Sequence, residues 1–369
     1  MNEYIPSNVT HLELSDCLEF ENLSDRITHL KVSHCPLFEY VPNSVTHLEV
    51  YNCQFFKDVP NSLIHLKVDN CPSFKDVPDK VTHLTVKHCE LFEDVPNSVT
   101  HLEINDCLLF KDVPDKVIHL KVYKCPLFKD VPSSVIHLVV YNCPLFEYTP
   151  NNVTHLEVED CLLFKDVSKS VIRLTVGNCP LFKDLPDKVI YLNIGWSPSF
   201  KDVPDSVTHL GLHKCPLFEY VPKTVTYLIV FECPSFKDVP ESVNYLSVRK
   251  CPLFEYVPNS VIHLTVKICE LFKDVPNSVT HLKVTHCPLF EYVPNSVTHL
   301  AVYNCPLFKD VPDSVTHLEV GKCGLFQDVP NSVTHLTVKF CRLFYVIPKS
   351  VIHFVIGPTL GGELRFLIK

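Results

Sequence analysis

Glycine, methionine and tryptophan are scarce in this sequence, which has 8, 1 and 1 of them among 369 residues. No glycine-rich loop that could cradle a phosphate and no nucleophile motif is visible, so we do not expect an enzyme. The paired C-x2-C spacing of structural zinc sites never occurs, and no cofactor is needed to explain any part of the pattern. The sequence therefore directs attention to binding and structural functions.

Long apolar runs and basic stripes are missing as well. Pro, Asp, Lys and Asn interrupt the chain long before the roughly 18 apolar residues of a membrane span. The net charge is −9, and the 33 basic and 42 acidic residues are spread evenly, which argues against a nucleic-acid partner. Residues Met1–Pro6 lack the basic and apolar regions of a signal peptide, so we expect a cytoplasmic protein that binds no membrane.

A repeat of 18 residues runs through almost the whole chain. Cysteine recurs at this period from Cys17 to Cys341, with Ser197 in its place once, and phenylalanine recurs three residues after each. The consensus is V-T-H-L-x-V-x-x-C-P-L-F-[KE]-[DY]-V-P-[ND]-S, and its strand portion recurs 20 times, with substitutions, from Val9 to Val351. A fixed period of this kind indicates units that contact only their neighbours and share one elongated core.

Each unit combines a short strand with an extended return. The V-x-x-L-x-V-x-x-C segment matches the strand and turn of a leucine-rich repeat, and Leu12 and Leu14 alternate with polar residues at the period of two that strands have. Two prolines in most P-L-F-x-x-V-P segments favour an extended return over a helix. The predicted fold is a mainly β repeat solenoid, leucine-rich-repeat-like, with one long parallel sheet of about 20 short strands and a Pro-rich return side.

The domain prediction is a single array over residues 1–357, followed by a C-terminal cap at 358–369. The cap is expected to be a hairpin in which 354–356 pairs with 364–368 through Gly361 and Gly362. A left-handed β-helix also has 18 residues per coil. It would require apolar residues every six positions and glycine at its corners, which makes it the weaker alternative.

A resemblance to a known family supports the solenoid. V-P-N-S-V-T-H-L-x-V, at residues 41–50 and 293–302, resembles the I-P-x-S-V-T-x-L segment of FNIP repeats, a leucine-rich-repeat variant of social amoebae and their large DNA viruses. It is also similar to the L-P-x-x-L-x-x-L-x-V-x-x-N unit of bacterial effector leucine-rich repeats. The period of 18 and the F-K-D-V-P at residues 56–60 depart from the FNIP pattern. The resemblance implies a protein that binds cellular proteins, or host proteins in the host cytoplasm if it is viral.

Stacking of identical units turns each consensus position into a ladder. The cysteines are interpreted as a buried spine of free thiols, with disulfides and metal binding as alternatives. The histidines, beginning at His11, are expected to face outward as stacked, mostly neutral imidazoles, with metal binding or a pH response as alternatives. Glu13, Lys31 and Glu49 alternate in sign two positions later, which indicates that the strands stack in register.

Departures from the consensus cluster in five successive predicted strands. Aromatic and arginine side chains grouped on an exposed face are typical of protein interfaces, whereas drift within the array is the alternative explanation. The predicted partner-binding residues are Arg173, Tyr191, Asn193, Trp196, His213, Tyr227, Ile229, Phe231, Tyr245 and Arg249.

The sequence thus favours a non-enzymatic protein–protein interaction scaffold that binds partners through its strand face. Two other hypotheses remain open. The first is a structural or filament-forming component that assembles end to end, because an uncovered first strand invites pairing. The second is a metal- or pH-responsive protein that uses the histidine ladder.

Overall fold

The computed structural model describes residues 8–17, 23–198, 200–341, 346–357 and 367–368. It comprises two compact units, Met1–Lys188 and Val189–Lys369. The described part of each unit consists of short strands joined by turns and extended segments, without helices. No helix in the described ranges is long and apolar enough to cross a membrane.

The first unit contains ten five-residue strands. They pair in parallel in chain order, and each strand pairs with the equivalent strand 18 residues further along the chain. The strands are β1 His11–Ser15, β2 His29–Ser33, β3 His47–Tyr51, β4 His65–Asp69, β5 His83–Lys87, β6 His101–Asn105, β7 His119–Tyr123, β8 His137–Tyr141, β9 His155–Glu159 and β10 Arg173–Gly177.

The second unit repeats this arrangement with ten strands in register and adds a pair of two-residue strands. Its strands are β11 Tyr191–Gly195, β12 His209–His213, β13 Tyr227–Phe231, β14 Tyr245–Arg249, β15 His263–Lys267, β16 His281–Thr285, β17 His299–Tyr303, β18 His317–Gly321, β19 His335–Lys339, β20 Val346–Ile347, β21 His353–Ile356 and β22 Leu367–Ile368. The predicted parallel strands and extended returns are therefore present in both units.

Two turns per coil reverse the chain, and both follow from the consensus residues. In the C-P-L-F turn, the Phe128 amide donates to the carbonyl of Cys125 at 3.3 Å, and proline occupies the second position, where its fixed φ suits a type I turn. In the P-x-S-V turn, the Val135 amide donates to the Pro132 carbonyl at 3.2 Å. The Ser134 hydroxyl then donates to the Val117 carbonyl at 2.7 Å, so this serine joins neighbouring coils.

A left-handed residue ends every strand from β1 to β19, although glycine never occupies this position. Nineteen described non-glycine residues have φ between 47° and 56°, one per coil. Asn and Asp tolerate this conformation best, and they fill several of these positions, such as Asn52 and Asp106. The amide of the left-handed residue donates to the last strand carbonyl of the next coil, as from Asn52 to Asp69 at 2.9 Å. This bond extends the ladder into the turn.

The core consists of five columns of side chains that repeat from coil to coil between β2 and β18. In the coil that begins at β7, Leu120 is 1% exposed, and Val122, Cys125, Phe128 and Val135 are completely buried. Equivalent rings of successive coils stack in parallel planes, with centroids 5.5 to 6.1 Å apart. Each buried ring contributes on the order of 2–3 kcal/mol before the entropy of ordering the chain is subtracted.

The cysteine column is a spine of free thiols, as predicted. All 18 cysteines are unpaired, and all but Cys17 are buried. The Cys143 thiol donates weakly to the carbonyls of Tyr141 at 3.5 Å and Val122 at 3.8 Å. At the exceptional position, the Ser197 hydroxyl donates to the Gly195 carbonyl at 3.1 Å. A hydroxyl therefore replaces the thiol without loss of the hydrogen bond along the turn.

The C-terminal pairing differs from the predicted hairpin. β21 pairs in parallel with β19 and continues the sheet of the second unit, so 354–356 is its last described strand. β22 pairs in parallel with β20 on the return side. Residues 358–366, which hold the expected turn and most of its second strand, lie outside the described residues. The division into an array and a cap stays a prediction.

Ile268 is expected to be the least suitable residue in the left-handed column, because its branched Cβ strains a φ of 55°. Ile268→Asn should raise the free energy of unfolding by about 1 kcal/mol, measured by urea denaturation. Lys124→Asn, at the equivalent position with φ 52°, is the control and should produce a smaller gain because lysine is unbranched at Cβ. A loss of stability in Ile268→Asn would contradict the assignment of strain.

The thiol spine predicts slow reaction with a disulfide reagent in the folded chain. Burial raises the pKa of Cys71, Cys89 and Cys143 to about 12, so almost no reactive thiolate exists near neutral pH. Without reductant, the denatured chain should titrate 18 thiols, and the folded chain should react rapidly at Cys17 alone. A count well below 18 after denaturation would indicate disulfides instead.

Candidate functional site

The strands present the same three columns of side chains on their outer face. The first, third and fifth residues of each strand from β2 to β19 point outward, while the second and fourth fill the core. In the first unit the first column is the histidine ladder. Adjacent imidazoles there stack with centroids from 4.1 Å apart at His11–His29 to 4.5 Å at His119–His137. The ladder is thus a continuous row of parallel rings.

A threonine before many of these histidines restrains the ring. The hydroxyl of Thr100, for example, lies 3.0 Å from Nδ1 of His101 and 3.2 Å from the carbonyl of Thr82 in the preceding coil. Partial burial lowers the pKa of His65 and His119, and the neighbouring imidazoles lower it further. Burial and stacking therefore favour the neutral form of these two imidazoles.

The predicted tyrosines occupy the equivalent column of the second unit, together with histidines. Tyr191 stacks on His209 with centroids 4.3 Å apart, and His209 is 5.5 Å from Tyr227. Tyr227 and Tyr245 are stacked at 4.2 Å with an angle of 8° between their planes. The tyrosines thus preserve the stacking while they replace a titratable ring with a larger phenol.

The fifth strand position of the second unit and the left-handed position beside it bring four other predicted residues together. The His213 ring stacks on Phe231 at 4.4 Å, and Trp196 meets the His213 ring edge-on at 4.1 Å. The Arg249 guanidinium carbon lies 4.5 Å above the centre of the Phe231 ring. Trp196 is the left-handed residue of its coil, with φ 47°, and 46% of its surface is exposed.

The third column lies between these aromatic columns and holds smaller side chains. It begins with Asn193, Gly211, Ile229 and Ser247. A Cβ atom at Gly211 would lie 2.7 Å from Oδ1 of Asn193, so the asparagine fills the space above the glycine. Ile229 is 37% exposed and is the one large apolar side chain of this group. The third column thus forms a strip of mostly small or polar side chains between two rows of aromatic rings.

Charged residues that the sequence prediction missed border the fifth column. Lys214 Nζ lies 5.0 Å from the Trp196 ring centre, and Lys250 Nζ lies 5.4 Å from that of Phe231. Both lysines form ion pairs with Glu232, and the hydrogen bond from Lys250 lowers the pKa of that carboxyl. Both lysines occupy the left-handed position after a strand, as Trp196 does. In the sequence, only their spacing from Trp196 in multiples of 18 residues could have revealed this.

The structure divides the predicted site residues between the two units. Tyr191, Asn193, Trp196, His213, Tyr227, Ile229, Phe231, Tyr245 and Arg249 lie on β11–β14 and the turn after β11, within the second unit. Arg173 lies on β10 in the first unit, where His155 is its register partner. We call the residues of the second unit, together with Lys214, Glu232 and Lys250, the aromatic–cationic surface.

A shallow trough adjoins this surface in the second unit. It has a volume of about 460 Å³ and begins beside Tyr245. Histidines of β15–β19 form one wall, and its floor includes the small residues Thr265, Ala301 and Thr337. The trough was not predicted, because the third column looks unremarkable until neighbouring strands are seen side by side.

Metal binding finds no support in the arrangement of side chains. No group of three or more His, Cys, Asp or Glu residues among those that the structure describes could hold a metal ion. Stacked imidazoles present parallel faces to each other, which does not converge their nitrogens on one point. The ladder's geometry is better suited to packing of the rings against each other.

Comparison with known proteins identifies the fold. No protein-family profile and no curated protein matches the sequence. The structure is similar to YopM from Yersinia enterocolitica WA-314, with 18% sequence identity, a TM-score of 0.55, and coverage of 95% of this chain and 91% of YopM. A plant peptide hormone receptor, RGFR1 in complex with RGF2, aligns with 11% identity over 91% of this chain and 81% of the receptor at a TM-score of 0.29. The similarity to YopM confirms the predicted leucine-rich-repeat-like β solenoid.

The histidine ladder predicts that stability falls as the solution is acidified. Because the fold lowers the pKa of His65, His83 and His119 below the ordinary 6.5, the unfolded chain binds more protons below that pH. The stabilising contribution of these neutral histidines is complete above pH 6.5. It is lost as the pH falls from 6.5 through their lowered pKa. The melting temperature should therefore decrease as the pH is lowered from about 7.5 to about 5.

The control replaces ladder histidines with tyrosine, which the chain itself has at this strand position in Tyr227 and Tyr245. The triple variant His65→Tyr, His83→Tyr, His119→Tyr should keep the stacking and show a smaller decrease of melting temperature with acid. Equal pH dependence of the variant and the unmodified chain would show that other groups cause the effect.

Proposed function

We propose that this protein is a non-enzymatic scaffold that binds protein partners through the aromatic–cationic surface of its second unit. The observation that supports this most directly is the pair of partly exposed aromatic columns on β11–β14 and the turn after β11. Tyr227 and Tyr245 form one of them, and Trp196, His213 and Phe231 form the other. Tyr, Trp and Arg dominate the binding energy of protein interfaces, since they bury a large area with few rotatable bonds.

The scaffold makes this surface well suited to binding. Its side chains project from strands whose backbone bonds are complete, and neighbouring rings restrict the rotamers of each other. Little conformational entropy would thus be lost when a partner binds. Solenoid proteins commonly bind through an extended face of this kind, and each coil adds one row of contacts.

Cell location and origin belong to the same proposal. The buried free thiols suit a reducing compartment such as the cytoplasm. The resemblance to FNIP repeats supports an amoebal or viral origin with cellular or host proteins as partners. End-to-end assembly is a separate proposal, and electron microscopy would test it by looking for ordered polymers. A pH-responsive ladder is another, and the pH dependence of the melting temperature described above tests it.

The proposal predicts that restoring the consensus at two aromatic positions removes binding and spares the fold. Trp196→Asn and Tyr227→His place residues that other coils use at these positions, such as Asn142 and His119. The double variant should lose a partner recovered by crosslinking and affinity purification from the native cell. Its melting temperature should stay within a few degrees of the unmodified chain, since both residues are exposed to solvent in part.

The matched control is Tyr123→Ser with Lys124→Asn on β7, which changes the same kind of surface in the first unit. This control should retain the partner. Recovery of the same partners by the Trp196 and Tyr227 double variant would refute the proposed surface. Loss of the partner in both variants would point to a binding site that is spread along the whole array.

A further inference from the structure

The outer face of β11–β16 has an excess of positive charge that contrasts with the chain as a whole. Its three outward columns and the left-handed column hold five cations and one carboxylate, a net charge of +4, in a chain of net charge −9. The same positions on β5–β10 hold four cations and five carboxylates, a net charge of −1. The charged residues of β11–β16 are Lys214, Glu232, Arg249, Lys250, Lys267 and Lys283.

The single carboxylate does not neutralise this group. Glu232 pairs with Lys214 and Lys250 at once, so one negative charge is shared by two positive ones. Arg249 and its register partner Lys267 are adjacent on β14 and β15. Within the described ranges, no carboxylate lies at ion-pair distance from either of them. These two cations repel each other on a solvent-exposed edge, and an anion between them would relieve the repulsion.

The aromatic rings hold the arginine in a conformation suited to a carboxylate. Phe231 lies beneath the Arg249 guanidinium at 4.5 Å and is itself stacked on His213. A guanidinium that rests on a ring keeps its edge accessible, and this edge carries the N–H groups that bind a carboxylate through two parallel hydrogen bonds. Because the ring restricts the side chain in advance, less entropy is lost on binding.

The spacing of the cations indicates an extended ligand that crosses the strands. Lys214 and Lys250 are two coils apart, which corresponds to about 9.6 Å for strands spaced about 4.8 Å apart. A polyproline-like peptide returns to the same side every three residues and advances about 9.3 Å in doing so. Acidic side chains at positions i and i+3 of such a peptide would therefore match the two lysines.

We infer that the aromatic–cationic surface binds an extended segment of a protein partner that carries aspartate or glutamate at every third position. This inference rests on the proposed function and specifies the chemistry of its ligand. The acidic side chains pair with Arg249, Lys250, Lys267 and Lys214, while the aromatic rows contact apolar side chains of the segment. A nucleic acid fits less well, because the cations form a patch of a few coils on an acidic chain and not a continuous stripe.

The inference can be tested with a fluorescently labelled peptide of about twelve residues that has glutamate at every third position and proline and alanine elsewhere. Fluorescence anisotropy should show binding to the full chain that weakens as salt is raised. The same peptide with glutamine in place of glutamate should not bind. The variant Arg249→Ser with Lys250→Asn uses residues found at these positions in other coils, and it should reduce affinity roughly tenfold.

Lys121→Thr with Lys124→Asn provides the matched control. It also removes two cations from the outer face of one coil, on β7 and the turn after it, and should leave the affinity unchanged. Circular dichroism and melting curves of both variants establish that they fold. Equal binding of the glutamate and glutamine peptides would overturn the inference, and so would full affinity in the Arg249 and Lys250 variant. Tighter binding of a labelled oligouridylate than of the peptide would overturn it in favour of RNA.

The failure of this inference can be distinguished from failure of the proposed function. If the Trp196 and Tyr227 variant loses its cellular partner but the unmodified chain ignores the glutamate peptide, the surface binds proteins by another chemistry. If the peptide binds through Arg249 and Lys250 while the cellular partner is unaffected by the aromatic changes, the acidic ligand is confirmed and the partner binds elsewhere.

Discussion

Backbone hydrogen bonds connect each coil to its neighbours in a register of 18 residues, and the rest of each unit depends on them. Since identical positions lie opposite each other along β1–β10 and again along β11–β19, every side chain meets its own kind or a replacement for it. This requirement selects residues that pack well against copies of themselves. Phe rings stack, thiols reach back to a carbonyl, and imidazoles lie face to face. Opposite charges lie side by side in the Glu13–Lys31 pair and stabilise the stacking, whereas the neighbouring Arg249 and Lys267 depart from this pattern.

Much of this could be predicted because a repeat displays its contacts in the sequence. The spacing of cysteines predicted the register, and the alternation around Leu12 predicted which side chains face outward. The left-handed column could not be predicted in the same way, because its usual indicator, glycine, is missing and residues as different as Trp196 and Ile268 occupy it. Lys214 and Lys250 were overlooked for this reason. The C-terminal pairing depends on which strand edge is available, and local turn residues such as Gly361 say nothing about that.

The candidate surface shows how a repeat can vary its exterior without disturbing its interior. Tyr227 and Tyr245 replace histidines, yet they stack in the same column, and Phe231 takes its place between His213 and Arg249. Below them, Leu228 and Val230 are as buried as in any other coil. The core thus imposes no penalty on these changes, which explains how the aromatic residues could accumulate in adjacent coils.

The left-handed residue at the end of each strand has a consequence for how such a chain can diversify. Glycine would relax the backbone there but would present no side chain, whereas each of the 19 coils with this turn accepts some strain and displays one. Asp, His, Asn, Lys, Glu, Trp, Ile and Phe all occur in the row, at intervals of about 4.8 Å. A single nucleotide change can therefore alter one contact in the row while its neighbours stay in place. The outer surface of the repeats can therefore change one coil at a time, while the backbone and the core stay the same.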